Sequence, residues 1–472
     1  MQIALFAIRI STLRHRRHYC ADNNDAAITC YHQNKSDEFT GIDIHKMRIA
    51  IIGAGCSGLT AIKHLVEAGL HDIVCYEKND QIGGNWVYSD TPGRSSISKA
   101  THIISSKPMS QFSDFPMPDD YPDYPSHQQI LAYFQAYARH FQLEQYIRFN
   151  VAVLRVEKIA QERWRLLLSD GTHEEFDYLL VANGHHTKPR HPGWKDRFAG
   201  TYLHAHEFKA SQGLENKRVL VVGAGNSGCD CAVEASREAA RVDMSLRTPQ
   251  YIIPKLVMGK PTDTFAAAMQ WLPQSIKNRL QKISLRIQIG RYRDYQLPEP
   301  DFSPTQAHPT INSVIFDRIR HGKIHPRPAI QDVSDHTVRF TDGASAQYDV
   351  IIAATGYTIS FPFFDTDFIN WENASHVPLY LRIFHPGHPS LFFIGLIQPQ
   401  GCIWTLAEMQ SRLIGQFLSG KTQLPSDWRE QAEAEGAFWA RHFIARPRHS
   451  IEVQYHPYRR QLLRMLQGKS VR

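Results

Sequence analysis

The stretch VLVVGAGNSGCD, Val219–Asp230, decides the fold. A run of apolar residues enters a glycine turn, Gly223-x-Gly225-x-x-Gly228, and a helical pattern follows. The first glycine of such a turn permits the sharp bend. The second lets backbone approach a pyrophosphate, and the third lets helix and strand pack closely. The free N–H groups and positive dipole end of the helix then face the phosphates. The chain carries the device twice. IAIIGAGCSG, Ile49–Gly58, has the same form, with Gly53, Gly55 and Gly58 in the glycine positions. Each turn is followed by a helical pattern and a second short strand, DIVCYE in one half and VDMSLR in the other. A lone GxGxxG is weak evidence, whereas two in strand–turn–helix–strand context are strong.

The two halves differ where they would touch a ribose. Glu77 lies 19 residues after Gly58, and Arg247 lies 19 residues after Gly228. A carboxylate there accepts hydrogen bonds from a ribose diol, and an arginine suits a 2′-phosphate. The first site therefore reads as FAD or NAD and the second as NADP. The parallel continues in FDYLLVANG and YDVIIAATG, which place Asp177, Ala182 and Gly184, then Asp349, Ala354 and Gly356, in one pattern. Each is an apolar run consistent with a buried parallel strand closing its own half. The expected architecture is α/β, with two Rossmann-like dinucleotide-binding domains, the NADPH domain inserted into the FAD domain. The expected boundaries are an N-terminal extension over 1–46, the FAD domain over 47–210, the NADPH domain over 211–345, a return to the FAD domain over 346–440, and a helical tail over 441–472. A chain that holds two dinucleotides at once passes hydride from NADPH to a flavin, and the flavin does the harder chemistry.

Composition excludes several other classes. The chain has 472 residues, more than one ordinary core accommodates. Its net charge is +7, but the basic residues are scattered and no nucleic-acid motif accompanies them. The seven cysteines are odd in number and form no CxxC, which argues against a disulfide framework, a zinc ribbon and a dithiol reductase. The expected location is cytoplasmic. No apolar run approaches the ~18 residues that cross a bilayer, so no integral membrane anchor is expected. The first 21 residues hold Arg9, Arg14, Arg16 and Arg17 and no acid before Asp22. They read as a disordered extension or as an upstream start in place of Met47 rather than as a transit segment. The 25 histidines offer no ligand set at metal-binding spacing, so no metal is expected.

FAGTYLHAHEF, Phe198–Phe208, has the form F-x-G-x-x-x-H-x-x-x-F and lies between the two glycine turns. It resembles the fingerprint of the flavin-containing monooxygenases. EKNDQIGGNW, FSDFPMPDDYP, GNSGCD, AATGY and FFIGLIQPQGCIWTLAEMQ also look like segments of that family, in family order, over residues 47 to about 420. The fingerprint ends Phe208-Lys209 rather than in the Trp of Baeyer–Villiger relatives, which favours the nitrogen- and sulfur-oxygenating branch. The resemblance implies a monooxygenase that uses FAD and NADPH. It would place one oxygen atom of O2 on a small lipophilic amine or thioether through a C4a-hydroperoxyflavin, with little acid–base machinery. It implies that Gly53, Ala54, Gly55, Cys56, Ser57 and Gly58 contact the FAD pyrophosphate. Glu77 would take its ribose, and Asn85 and Trp86 would lie near the flavin. Gly223, Gly225, Asn226, Ser227, Gly228 and Asp230 would line the NADP pyrophosphate site, with Arg247 on the 2′-phosphate, and His204 would be structural. One departure stands out. Many members carry an asparagine beside the flavin where this chain has Ile104, followed by Ser105. Isoleucine donates no hydrogen bond. Loss of one donor from a preorganised site costs about 3 kcal/mol. Ile104 and Ser105 are therefore the candidate catalytic positions. An uncoupled NADPH oxidase stays open as an alternative, as does a non-catalytic redox sensor, and a homodimer is compatible with the sequence.

Overall fold

The computed structural model describes residues 46–91, 93–443 and 450–469. The extension expected over 1–46 lies outside these residues, save Lys46. Two five-stranded parallel sheets organise the rest. Their strands, in chain order, are β1 (Ile49–Ile52), β2 (Ile73–Tyr76), β3 (Ile147–Arg148), β4 (Tyr178–Val181), β5 (Thr201–His204), β6 (Arg218–Val222), β7 (Arg241–Ser245), β8 (Ile324–Arg327), β9 (Val350–Ala353) and β10 (Leu391–Phe393). The first sheet has the order β10-β4-β1-β2-β3, and the second β8-β7-β6-β9-β5. The central strands IAII, YLLV and VIIA are buried along their whole length. Strands covered on both faces need such continuous apolar runs.

The repeated pattern around Asp177 and Asp349 has a physical reason. The Asp177 carboxylate accepts the backbone N–H of Arg48 at 2.8 Å, and Asp349 accepts that of Arg218 at 2.7 Å. Each aspartate thus closes the open end of its central strand. At the other end the Ala182 carbonyl lies against Gly53, where a Cβ would come within 2.8 Å of it. The Ala354 carbonyl lies against Gly223 in the same way, at 2.5 Å. Gly53 has φ +103° and Gly223 φ +114°, a backbone region that L residues with side chains rarely adopt.

Helix α1 (Cys56–Glu67) follows the first turn. The remaining helices that matter here are α2 (His127–His140), α3 (Asn226–Ala235), α4 (Thr262–Ala268), α5 (Gln274–Ile289), α6 (Ile403–Leu418) and α7 (Tyr455–Leu466). Helix α1 packs on α6, close enough that a Cβ on Gly415 would sit 2.7 Å from the His64 carbonyl oxygen. The α1–α6 contact includes a hydroxyl pair, Thr60 to Ser411 at 3.0 Å. Helix α7 closes the first core through Tyr458, which accepts from Gln410 at 2.7 Å and donates to the Leu381 carbonyl at 2.5 Å. Helix α7 lies within the helical tail expected over 441–472.

Two features depart from the sequence reading. First, β5 and β9 both belong to the second sheet, so that sheet draws on residues 201–353 rather than 211–345. Strand β9 pairs in register with β6, Val350 opposite Val219, and β5 covers its other edge. A boundary at 345/346 would cut a buried strand from its neighbours; the return to the first sheet comes at β10. Second, the repeat is deeper than the turns alone indicate. A three-stranded antiparallel sheet of Val153–Lys158, Trp164–Leu168 and His173–Phe176 stands between β3 and β4. Another, of Ile330–Ser334, Thr337–Phe340 and Ser345–Gln347, stands between β8 and β9.

The segment holding α4 and α5 exposes large apolar side chains, among them Met258, Trp271 and Ile287. No helix among the described residues is long and apolar enough to cross a membrane.

The third glycines set the tightest constraint. A Cβ at Gly58 would lie 1.9 Å from the Gly53 carbonyl oxygen, and one at Gly228 would lie 2.1 Å from that of Gly223. Gly225 has open space around it. Gly228→Ala is expected to lower Tm, because moving α3 off β6 costs about 1–3 kcal/mol. Gly225→Ala is expected to melt like the wild type but to lose affinity for its dinucleotide. Thermal melts of both variants, with and without NADPH, check the contrast.

Candidate functional site

The first turn gathers most of the residues assigned to it. Glu77 follows β2 directly and is buried. Its carboxylate accepts the Ala54 N–H at 2.9 Å, the Asn79 N–H at 2.9 Å and Asn79 Nδ2 at 2.8 Å. Glu77 therefore braces the turn. Helix α1 begins at Cys56 with Gly55 as its cap and no side-chain cap, so its first N–H groups are left for a ligand. The Cys56 thiol is pushed up to about 11 by burial, which keeps it protonated and out of redox chemistry. Ser57 sits against Gly395, where a Cβ would meet its Oγ at 2.2 Å.

Gly83 and Gly84 bring the next residues in. Gly83 has φ +120°, and its N–H donates to the Ala54 carbonyl at 3.1 Å. Gly84 abuts Gly55, so the turn containing Asn85 and Trp86 lies over the first glycine turn. Asn85 Oδ1 accepts the Ser96 N–H at 2.9 Å and its hydroxyl at 2.8 Å. The Trp86 ring meets the buried Trp404 ring edge-on at 5.6 Å. Trp404 in turn donates its indole N–H to the Ser110 carbonyl.

The second turn is more open. Helix α3 starts behind Gly225, again without a side-chain cap. Asn226 Oδ1 accepts the Ile311 N–H at 2.7 Å, and Thr310 donates its hydroxyl to the Ala224 carbonyl at 2.7 Å. Asp230 accepts Asn312 Nδ2 at 2.9 Å. The segment Thr310–Asn312 thus braces the second turn. Nothing in the sequence marked it, because the brace is formed across some 85 residues. Ser227 is exposed.

Arg247 is exposed, with no ion-pair partner among the described residues, as a phosphate-binding arginine requires. Its place needs one correction. Gly53 donates to the Tyr76 carbonyl and Gly223 to that of Ser245, both at 2.9 Å. The residue equivalent to Glu77 is therefore the buried Leu246, and Arg247 lies one step farther out. The equal offset in sequence hides a connection one residue shorter in the second half. The buried position would have confined a guanidinium; the next one lets it reach outward.

Ile104 is half-buried and Ser105 buried, and both line a cavity of about 240 Å3 with Met109, Phe265, Met269 and Cys402. The walls are mainly apolar. Ser105 Oγ pairs with Ser110 Oγ at 2.8 Å, so its hydroxyl is already engaged. The loop is held by a residue the sequence reading missed. Asp263, in the first turn of α4, accepts the Ser106 N–H at 2.6 Å and the Ser106 hydroxyl at 2.7 Å. It also takes the Thr264 N–H at 2.8 Å. The Pro-Thr-Asp start of α4 was the available signal, an acidic residue in a first turn.

His204 ends β5 and is fully buried. Its Nδ1 accepts the His206 N–H at 3.1 Å, and its ring meets that of Tyr357 edge-on at 5.4 Å. Burial pushes its imidazole down to about 4, so it is neutral at pH 7.

Comparison with known proteins is consistent with this geometry. The chain matches the Flavin-binding monooxygenase-like family over residues 46–470. It is 36% identical over 439 residues to flavin-containing monooxygenase 5 of Rattus norvegicus, covering 87% of this chain and 81% of the relative. It is 35% identical over 402 residues to dimethylaniline monooxygenase [N-oxide-forming] 2 of Pan troglodytes, covering 80% and 75%. Among solved structures, S-allyl-L-cysteine S-oxygenase from Allium sativum superposes with a TM-score of 0.67 at 23% identity, covering 90% of this chain and 89% of that one.

Two outcomes are expected. Arg247→Ala removes a charge-assisted contact of roughly 1.5–3 kcal/mol. The KM for NADPH should rise about tenfold or more while that for NADH is unchanged, as steady-state kinetics with both will show. The depressed His204 imidazole also sets an acid limit. An unfolded chain takes up that proton near an ordinary value of about 6.5, the folded chain only near 4. Stability should therefore fall as pH drops through that window. Melts from pH 7 to pH 4 should show a smaller fall for His204→Gln than for wild type.

Proposed function

The chain belongs to the Flavin-binding monooxygenase-like family, and on that premise we propose that it uses NADPH and O2 to place one oxygen atom on a nitrogen or sulfur nucleophile. The observation that carries this reading is a mainly apolar cavity at Ile104 and Ser105 whose wall includes Ile311, which is bonded to Asn226 at the second glycine turn, in a chain whose two turns differ in the charge beyond them. The residues fit both cofactors, FAD and NADPH. Glycine at positions 53 and 58 forms a turn that any Cβ would fill, and Glu77 stands buried at its ribose end. Open space at Gly225 suits the phosphorylated dinucleotide, as does Arg247, which is exposed and without an ion-pair partner among the described residues.

FAD supplies, when bound, the two-electron chemistry that joins NADPH oxidation to O2. The chain's own residues bind, orient and keep water out. Asn85 and Trp86 are fixed by Ser96 and Trp404 beside the first turn. Asp263 ties the Ser105–Ser106 backbone to α4, so the roof of the cavity and the loop beneath it hold one spacing. Met109, Phe265, Met269 and Cys402 give the chamber a mainly apolar wall. Exclusion of water matters more here than a general acid or base, because a soft nucleophile needs no activation. That agrees with a cavity whose one carboxylate, Asp263, is fully engaged.

One observation favours a second reading. Ile104 offers only methyl groups to the cavity, and Ser105 is engaged with Ser110. A site short of one donor loses about 3 kcal/mol of preorganised stabilisation. Such an enzyme would release part of its oxygen as H2O2, and in the limit it is an NADPH oxidase. The measurement is H2O2 formed per NADPH consumed, with and without a thioether, on wild type and Ile104→Asn. Oxygen transfer predicts a ratio that falls on adding the thioether and falls further in the variant. A ratio near one that ignores both changes assigns the chain to the oxidases.

A further inference from the structure

Helix α5 and the start of α7 both wall the cavity, and α5 brings the exposed Gln274, Leu280 and Gln288 to its lining, so the cavity opens to solvent there. Lys277 of α5 and His456 of α7 both line it. Arg459 and Arg460 follow His456 on α7 and are exposed. Among the described residues the Lys277 ammonium group contacts only Gln270 Oε1, at 3.4 Å, and none of Lys277, Arg459 or Arg460 has an ion-pair partner. Their combined field is felt inside. His456 is pushed down to about 4, first by burial and then by Arg460, Arg459 and Lys277, and Lys277 is itself lowered by burial and by Arg460. The negative groups lie elsewhere. Asp263 also lines the cavity and is committed to Ser106 and Thr264. Glu452 lies buried beyond His308, 3.5 Å from its Nδ1. Asp230 faces Lys255, on the side of the second glycine turn.

From this arrangement, and resting on the monooxygenase reading above, we propose that Lys277, Arg459 and Arg460 select the substrate by charge. The cavity takes thioethers and weakly basic amines that are uncharged or carry a carboxylate, and it turns away amines protonated in water. The apolar walls hold the sulfur and its substituents. The cationic mouth attracts a carboxylate tail and repels an ammonium group as it enters. Charges about 10 Å apart at an effective dielectric of about 20 differ by more than tenfold in affinity between the two signs. The effect should shrink with salt, since the mouth is open to solvent.

The test uses the FAD-loaded protein and three probes of one shape: a methylthio carboxylic acid, its methyl ester, and the matching methylthio trimethylammonium salt. Dissociation constants come from the perturbation of flavin absorbance, and sulfoxide formation is measured separately. The acid should bind best and the ammonium salt worst, more than tenfold apart at low salt. Lys277→Gln and Arg460→Gln should each narrow the gap, and Lys277→Glu should invert it, with the Kd for NADPH unmoved. Equal or reversed affinities in the wild type would overturn the proposal. So would variants that shift NADPH affinity while leaving the order of the probes alone. If the binding order holds but no probe yields sulfoxide, charge selection stands and the oxygen-transfer reading falls. If sulfoxide forms with no charge order, oxygen transfer stands and charge selection falls.

Discussion

Everything else in the structure depends on two contacts that only glycine permits. In each half the carbonyl of the first glycine points at the third, and a single methyl group would bring them within about 2 Å. That approach seats the helix directly on the end of the central strand, so its free N–H groups emerge where a pyrophosphate can meet them. The rest of each half fixes this junction. An aspartate holds the far end of the strand, an alanine carbonyl covers the turn, and fully buried apolar strands make the sheet costly to open.

The same physics explains which parts of the chain were legible in advance. Period, turn chemistry and apolar runs are local, and they disclosed both turns, both central strands and the closing helix. The first-half residues, Gly53 to Gly58 with Glu77, Asn85 and Trp86, come together because short connections bind them, Ala54 to Glu77 and Gly83 to Ala54. What stayed hidden depends on contacts between distant segments. The bracing of Asn226 and Asp230 by Ile311 and Asn312 leaves no local trace. Nor does the reach of Asp263 to Ser106, across 157 residues. The domain boundary failed for a related reason, since β5 and β9 are neighbours in space and nearly 150 residues apart in sequence. The slip at Arg247 is subtler: a count of residues assumed equal connections, and the register of β6 against β7 shows that they differ by one.

The α4–α5 segment links these levels. Its apolar outer face, its unpaired cations and its single engaged carboxylate belong to one stretch of chain, Leu256–Ile289. Through Asp263 it sets the position of the loop that carries Ile104. Through Lys277 it sets the charge at the mouth. Its position therefore bears on both entry and chemistry.

The two halves also differ in how freely they can change. Glu77 is buried and holds three donors, so replacing it disturbs the turn itself. Arg247 stands outside the packed strand, exposed and with no ion-pair partner among the described residues. In an outwardly doubled architecture, the position proposed for the resident cofactor is therefore tied into the core of its half, and the one proposed for the electron donor is not. The second can be exchanged without loosening the scaffold, and the first cannot.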